Sequence, residues 1–355
     1  MTPTTILVTG GAGFVGSTLA LHLKRHDVAR RVIALDNLKR RGSELNVPRL
    51  RDGGVEFVHG DIRCPEDLDV AETDLLLECS AEPSVLAGYD SSPQYLVNTN
   101  LLGTLNLLEH CRRRGAAIVF LSTSRVYPMA ALAAIRLDET PTRFEIAGAQ
   151  TLAGISARGI SEEFPLSGAR SLYGATKLAS ELFIEEYAYA YGLRAVVDRC
   201  GVLAGPWQMG KVDQGFVALW VARHLFEGRL SYIGFGGSGK QVRDVLHVDD
   251  LCDLVTRQIA RLDDVAGQVF NVGGGRRVST SLCELTELCR RVTGKTIAID
   301  AVAETRTADV PLYVTDTARI EATLGWSPTR DLERVVVDTH DWMHAHAASL
   351  RAILS

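Results

Sequence analysis

Short, unbroken apolar runs alternate with stretches of helical period along the first 200 residues of the 355-residue chain. The runs fall at residues 6–9, 31–35, 55–59, 75–79, 117–121 and 194–198, and helical spacing predicts helices near 15–25, 95–114 and 172–191. An apolar run without polar alternation is a strand covered on both faces, and strands joined through helices run parallel. The expected fold is α/β, a doubly wound parallel sheet of Rossmann type whose ligands sit at the carboxyl ends of the strands. Beyond Gly201 the segments shorten and glycines cluster at 234–239 and 273–275, which marks a smaller α/β domain. The chain thus divides into a nucleotide-binding domain over residues 1–200 and a second domain over 201–355, partly interleaved with the first. Between 129 and 170 the pattern loosens, as it does either in an insertion over a cleft or in a floppy surface loop.

The first apolar run breaks straight into Gly10-Gly11-Ala12-Gly13-Phe14-Val15-Gly16, a G-x-x-G-x-x-G spacing that opens a helix. Gly-rich turns also exist simply to bend chains. Here a second strand ends in Asp36, 20 residues past Gly16, where an acid accepts hydrogen bonds from an adenosine ribose and repels a 2′-phosphate. The pair predicts a dinucleotide on the helix N-terminus, its pyrophosphate met by the N–H groups of Gly13, Phe14, Val15 and Gly16, and favours NAD over NADP. Lys39, Arg40 and Arg41 soften that preference. Polar clusters follow the other strands: Asp61-Ile62, placed to meet an adenine, Ser80-Ala81-Glu82, and Ser122-Thr123-Ser124.

Tyr173 and Lys177 stand at i and i+4, on one face of the predicted helix 172–191. A phenol with a pKa of about 10 is a poor base at neutral pH, but a neighbouring ammonium and an oxidised nicotinamide favour its phenolate. Tyr173 then takes a hydroxyl proton while carbon-bound hydride leaves, and Thr123 holds the same oxygen. Taken alone, Y-x-x-x-K is an ordinary amphipathic pattern; after a dinucleotide fingerprint and a strand ending in Ser122-Thr123 it reads as a catalytic pair.

Composition narrows the partners. With 38 basic and 43 acidic residues the net charge is −5, and no basic block points to nucleic acid or a membrane surface. Seven cysteines, an odd set without C-x-x-C or His-interleaved spacing, indicate neither a disulfide frame nor a metal site. No apolar stretch approaches membrane-spanning length, and the first strand begins too near Met1 for a leader, so a cytoplasmic protein is expected.

Together these residues resemble the extended short-chain dehydrogenase/reductases of the NAD-dependent nucleotide-sugar epimerase/dehydratase family. The likeness is carried by Thr9–Gly16, Asp36-Asn37, Gly60-Asp61-Ile62, Asn100–Thr104, Ser122-Thr123, Val126-Tyr127, Tyr173 with Lys177, Arg199 with Gly205-Pro206, Gln241–Asp244, His247–Asp250 and Leu324–Pro328. It implies NAD held by the glycine loop, Asp36, Asn37, Asp61, Ile62, Ser80, Ala81, Asn100, Tyr173 and Lys177. It also implies a nucleoside-diphosphate sugar, its diphosphate gripped by Arg243 with Arg306 and Asp309 nearby, and further contacts from Glu82, Ser124, Arg125, Arg199, Gln214 and Gln241. A salt bridge to the neighbourhood of Asp244 is the alternative for Arg243. Self-association into a homodimer or higher oligomer through the helices near 95–114 and 172–191 is implied as well.

Within the family, 4,6-dehydratases place an acid pair after the threonine and decarboxylases a Ser-Glu; here the pair is Ser124-Arg125. A plain epimerase needs no third acid. The basic residue, the stretch Glu139–Phe144 in a long insertion, Asp213-Gln214-Gly215 and Gly239–His247 are similar to the CDP-paratose 2-epimerases. That likeness implies epimerisation at C2 of a CDP-linked deoxyhexose. The alternatives are C4 epimerisation of a UDP-hexose or UDP-uronic acid, decarboxylation or dehydration of a nucleotide sugar, and a catalytically silent NAD-dependent sensor. The chain departs from the family at Pro128, where glycine is usual, at Glu78, where histidine is common, and at Val202, where asparagine is common.

Overall fold

A computed structural model describes residues 3–70, 72–210 and 214–354. The chain forms two compact units. The first comprises Met1–Val126, Leu172–Arg199 and Leu251–Phe270; the second comprises Tyr127–Ser171, Cys200–Asp250 and Asn271–Ser355.

Seven strands build the central sheet: β1 (Thr5–Thr9), β2 (Arg31–Asp36), β3 (Glu56–His59), β4 (Leu75–Glu78), β5 (Ala117–Thr123), β6 (Ala195–Cys200) and β7 (Val269–Val272). Their order is β3-β2-β1-β4-β5-β6-β7. The pairs β1/β2, β2/β3, β1/β4 and β4/β5 are all parallel. The order reverses beside β1, so the crevice at the carboxyl ends of β1 and β4 is where such a sheet takes its ligand. Every residue of β1 and β4 is buried, as unbroken apolar runs require of strands covered on both faces.

Three helices matter for the site: α1 (Phe14–Arg25), α2 (Gly103–Arg114) and α3 (Leu172–Tyr191). One core cluster joins Leu7, Leu76, Ile118 and Phe120 of the strands to Leu107 and Leu108 of α2 and Ile184 of α3. The predicted helix 95–114 is three pieces, Gln94–Val97, a π-helical turn at Asn98–Leu102, and α2. π-turns inside helices concentrate at functional positions because they re-aim side chains, and this one carries Asn100.

In the second unit, the strand Val242–His247 pairs in parallel with Val202–Ala204 and Leu312–Tyr313 and antiparallel with Ser279–Ser281. Helices Phe216–Leu225, Leu282–Thr293 and Leu332–Ala345 pack on one another. Ser281 and Glu284 close a reciprocal capping box on the second of these.

Two features of this partition differ from the expected one. Residues 129–170 have structure of their own, with two hairpins, Leu137–Glu139 with Phe144–Ile146 and Ile155–Ser156 with Gly159–Ile160, and they belong to the second unit. Ile160 N–H bonds the Val314 carbonyl, and Asn271 donates to the Ile160 carbonyl, which anchors the stretch there. Residues 251–270 return to the first unit, where Gln258 donates to the buried Asp198 carboxyl of β6 at 2.8 Å.

Candidate active site

The glycine loop follows β1 and leads directly into α1. Gly10 has φ +63°, and a Cβ there would lie 2.7 Å from the Cys79 carbonyl oxygen at the end of β4. A Cβ at Gly16 would lie 2.2 Å from the Gly10 carbonyl oxygen. Gly10 is therefore required by its own backbone and by the neighbouring strand, while Gly13, whose Cβ would meet only the Gly10 oxygen at 3.1 Å, keeps the loop low before the helix. α1 starts with no side-chain cap and no acid in its first turn. Its leading N–H groups at Phe14, Val15 and Gly16 are left for an anion, as a dinucleotide pyrophosphate needs.

Asp36 ends β2 beside this loop, accepting from the Leu38 N–H at 2.7 Å and the Ala12 N–H at 3.1 Å. Burial pushes its carboxyl up, opposed by those N–H groups and that of Gly13. Asn37 donates to Asp61 at 3.0 Å, and Arg63 chelates Asp61, holding its carboxyl well below the usual carboxylate range. Ile62 is buried against Gly103, where a Cβ would come within 2.5 Å of it. Lys39, one of the three cations expected to soften NAD preference, stands 4.2 Å from the centre of the Tyr95 ring, and Arg63 lies 5.0 Å from it. The acid and the shallow, anion-ready helix end fit NAD.

Ser80, Ala81 and Glu82 follow β4, all half-buried. Asn100 fixes this segment: its Oδ1 accepts the Glu82 N–H at 2.8 Å, and its Nδ2 donates to the Glu82 carbonyl at 3.1 Å and the Thr176 hydroxyl at 3.3 Å. Ser180 donates to the Asn100 carbonyl at 3.0 Å. The π-turn thus couples the loop after β4 to α3, the helix that carries Tyr173 and Lys177.

Tyr173 is half-buried in the first turn of α3, and Lys177, one turn on, is 2% exposed with its ammonium 3.9 Å from the centre of the Phe120 ring. Thr123 is buried at the end of β5, where its hydroxyl accepts the Arg125 N–H at 3.2 Å. Ser124 and Arg125 form the short turn that follows and are half-buried. Arg199, expected at the substrate, is buried in a bidentate pair with Glu181, Nε to Oε2 3.0 Å and Nη2 to Oε2 2.7 Å, and the Ser122 hydroxyl bonds the same carboxylate. Glu181 belongs to none of the motifs read from the sequence. It lies four residues beyond Lys177 and eight beyond Tyr173, so helical spacing alone places it on their face.

In the second unit Arg243, expected at a diphosphate, forms an ion pair with Asp309, Nη2 to Oδ1 2.7 Å. The same guanidinium donates to the carbonyls of Val310 and Val242, and burial lowers its pKa. Arg306 and Asp309 flank a turn in which Ala308 has φ 64°, closed by the Asp309 N–H on the Arg306 carbonyl at 3.2 Å. Gln241 is buried and donates to the Ile233 carbonyl at 3.0 Å. Gln214 is half-buried, while Asp213 lies outside the described residues.

Residues 6–273 match the NAD dependent epimerase/dehydratase family. The chain is 32% identical to the CDP-paratose 2-epimerase of Salmonella typhi, over 95% of this chain and 98% of that one. It is also 32% identical to a dTDP-glucose 4,6-dehydratase of Streptomyces antibioticus, over 97% and 93% of the two chains. Among solved structures, the UDP-glucose 4-epimerase of Thermus thermophilus in complex with NAD superposes with a TM-score of 0.77 at 28% identity, covering 96% of this chain and 99% of that one. The chain belongs to the NAD-dependent epimerase/dehydratase family. It is an enzyme with a Rossmann-type fold, and its cofactor is NAD. No helix among the described residues is long and apolar enough to cross a membrane.

Proposed function

We propose that the protein is an NAD-retaining nucleotide-sugar epimerase that acts at C2 of a CDP-linked deoxyhexose. The observation that carries the reading is the turn after Thr123, where Ser124-Arg125 supplies no carboxylate. Elimination of water needs an extra acid and base at the reacting sugar, which this turn lacks, while inversion by oxidation and re-reduction needs only one base. The 32% identity with a CDP-paratose 2-epimerase along nearly the whole of both chains supports the choice of carbon and nucleotide.

NAD, when bound, accepts hydride from the sugar carbon and returns it. Tyr173, as phenolate, takes the hydroxyl proton as the carbon is oxidised and gives it back on reduction from the other face. Lys177 favours the phenolate by its charge, and Thr123 donates to the sugar oxygen. Net redox change is zero, so the cofactor must stay bound through the cycle; Asp36, Asn37 and Asp61 on the adenosine side and the α1 N-terminus on the pyrophosphate are the groups to retain it. Arg243, with its Asp309 partner, is the diphosphate ligand. The protein self-associates through α3, whose Leu182 (56% exposed), Phe183 and Tyr189 (90% exposed) leave an apolar surface in water.

Purified protein incubated with CDP-, UDP-, GDP- and dTDP-sugars and followed by NMR tests the substrate. A CDP-deoxyhexose carrying deuterium at C2 should turn over with a primary isotope effect, and the same sugar labelled at C4 should not. An effect at C4 with a UDP-hexose would favour the reaction of the UDP-glucose 4-epimerases instead. Tyr173→Phe should keep NAD and lose turnover.

A further inference from the structure

Glu78 is the last residue of β4, and its register places it in a row across the sheet between Thr9 of β1 and Phe120 of β5. It is 0% exposed. One carboxyl oxygen accepts the Thr9 hydroxyl at 2.9 Å, and the other is buried with no hydrogen-bond partner. Among the described residues, Lys177, the Thr9 hydroxyl and the Ser80 N–H act on it, and it acts in turn on the thiols of Cys79 and Cys111. The Lys177 ammonium is the charged one, itself buried over the ring of Phe120, the β5 residue paired with Glu78. A carboxyl and an ammonium are thus both buried and act on one another, and Lys177 lies one helical turn along α3 from Tyr173.

We propose that Glu78 is a positioning residue that sets the charge felt at Tyr173 by acting on Lys177. This rests on the reading of Tyr173 as the base. With Glu78 ionised, it and Lys177 sum to zero and the phenol receives little help; with Glu78 neutral, the full positive charge of Lys177 acts on the phenol. Burial pushes the Glu78 carboxyl up to about 7, opposed by Lys177 and the Thr9 hydroxyl. The pair therefore changes net charge within the working range of pH. The thiols do not share in this switch, because burial pushes both upward.

The test is an ultraviolet titration of phenolate in the NAD-loaded protein, as the difference between wild type and Tyr173→Phe. Glu78→Gln keeps the shape and an acceptor for Thr9 while removing the charge, so the Tyr173 midpoint should fall by about one pH unit, a tenfold stronger acid. Thr9→Val, which takes a hydrogen-bond donor from the carboxylate, should lower the midpoint in the same direction and serves if Glu78→Gln does not fold. A Tyr173 midpoint that is unmoved in a folded Glu78→Gln or Thr9→Val protein overturns the role of Glu78 and leaves Tyr173 as the base. Absence of any phenolate lost in Tyr173→Phe overturns the base assignment, and this proposal with it.

Discussion

Arg199 and Glu181 form a nearly sealed ion pair, their side chains 7% and 6% exposed, and replacing Glu181 by Gln leaves a guanidinium buried without its counter-charge. Unit charges about 3 Å apart at an effective dielectric near 20 attract by roughly 5 kcal/mol. Removing one partner of a buried pair costs about 3–5 kcal/mol, because the survivor keeps its desolvation penalty. Glu181→Gln should therefore lose about 3–5 kcal/mol of unfolding free energy in urea titrations read by circular dichroism. The double variant Glu181→Met with Arg199→Met removes both charges and should recover most of that loss. A Glu181→Gln loss below about 1 kcal/mol, or a double variant no more stable than the single one, would refute the reasoning. The same proteins separate two roles for Arg199, since a bracing side chain shows first in stability and a sugar or phosphate ligand shows first in KM.

Other expectations follow from single contacts. Burial pushes the Asp198 carboxyl up to about 7 from the 3.8 of an exposed aspartate, so the folded state holds this proton to a higher pH than the unfolded chain does. Its contribution is complete below about pH 4 and is lost as pH rises through about 7, and Asp198→Asn should remove that slope and gain on the order of 4 kcal/mol at pH 8 over wild type. Unfolding titrations at pH 5 and 8 read it; an equal slope in both proteins would contradict it. Gly16→Ala forces a Cβ toward the Gly10 oxygen, 2.2 Å away, and should abolish NAD retention, measured as cofactor released on denaturation. Leu182→Glu should shift the protein to monomers in light scattering after gel filtration, while an unchanged mass would place the self-association elsewhere.

Much of the first unit was legible because its signals are local. Buried parallel strands are short apolar runs, and those predicted at 6–9 and 117–121 are observed as Thr5–Thr9 and Ala117–Thr123. Helix 172–191 matches its predicted ends, since no Gly or Pro interrupts it after Gly174 and Gly192 follows its last residue. The π-turn at Asn98–Leu102 was not legible, because it is a single turn whose extra residue shifts the helical period too briefly to stand out among the flanking apolar positions. Residues 129–170 hid their hairpins for another reason: strands of two or three residues are too short to show alternation, and hydrogen bonds to distant chain, Phe144 N–H to the Lys240 carbonyl and Ile160 N–H to the Val314 carbonyl, anchor them. Arg199, expected at the substrate from the family resemblance, instead has Glu181 brought to it by α3, and the same carboxylate takes the Ser122 hydroxyl.

The order of residues by itself determined the sheet, the dinucleotide loop with its acid at Asp36, and the Tyr173 and Lys177 pair. Each depends on neighbours within one turn or one strand, where spacing dictates geometry. Tertiary structure alone decided which charges are enclosed: that Glu78 lies in the interior with Lys177, that Arg199 is neutralised by Glu181, and that Arg243 is held by Asp309. Those outcomes depend on segments tens of residues apart, and on the loss of water around them, which no local pattern encodes.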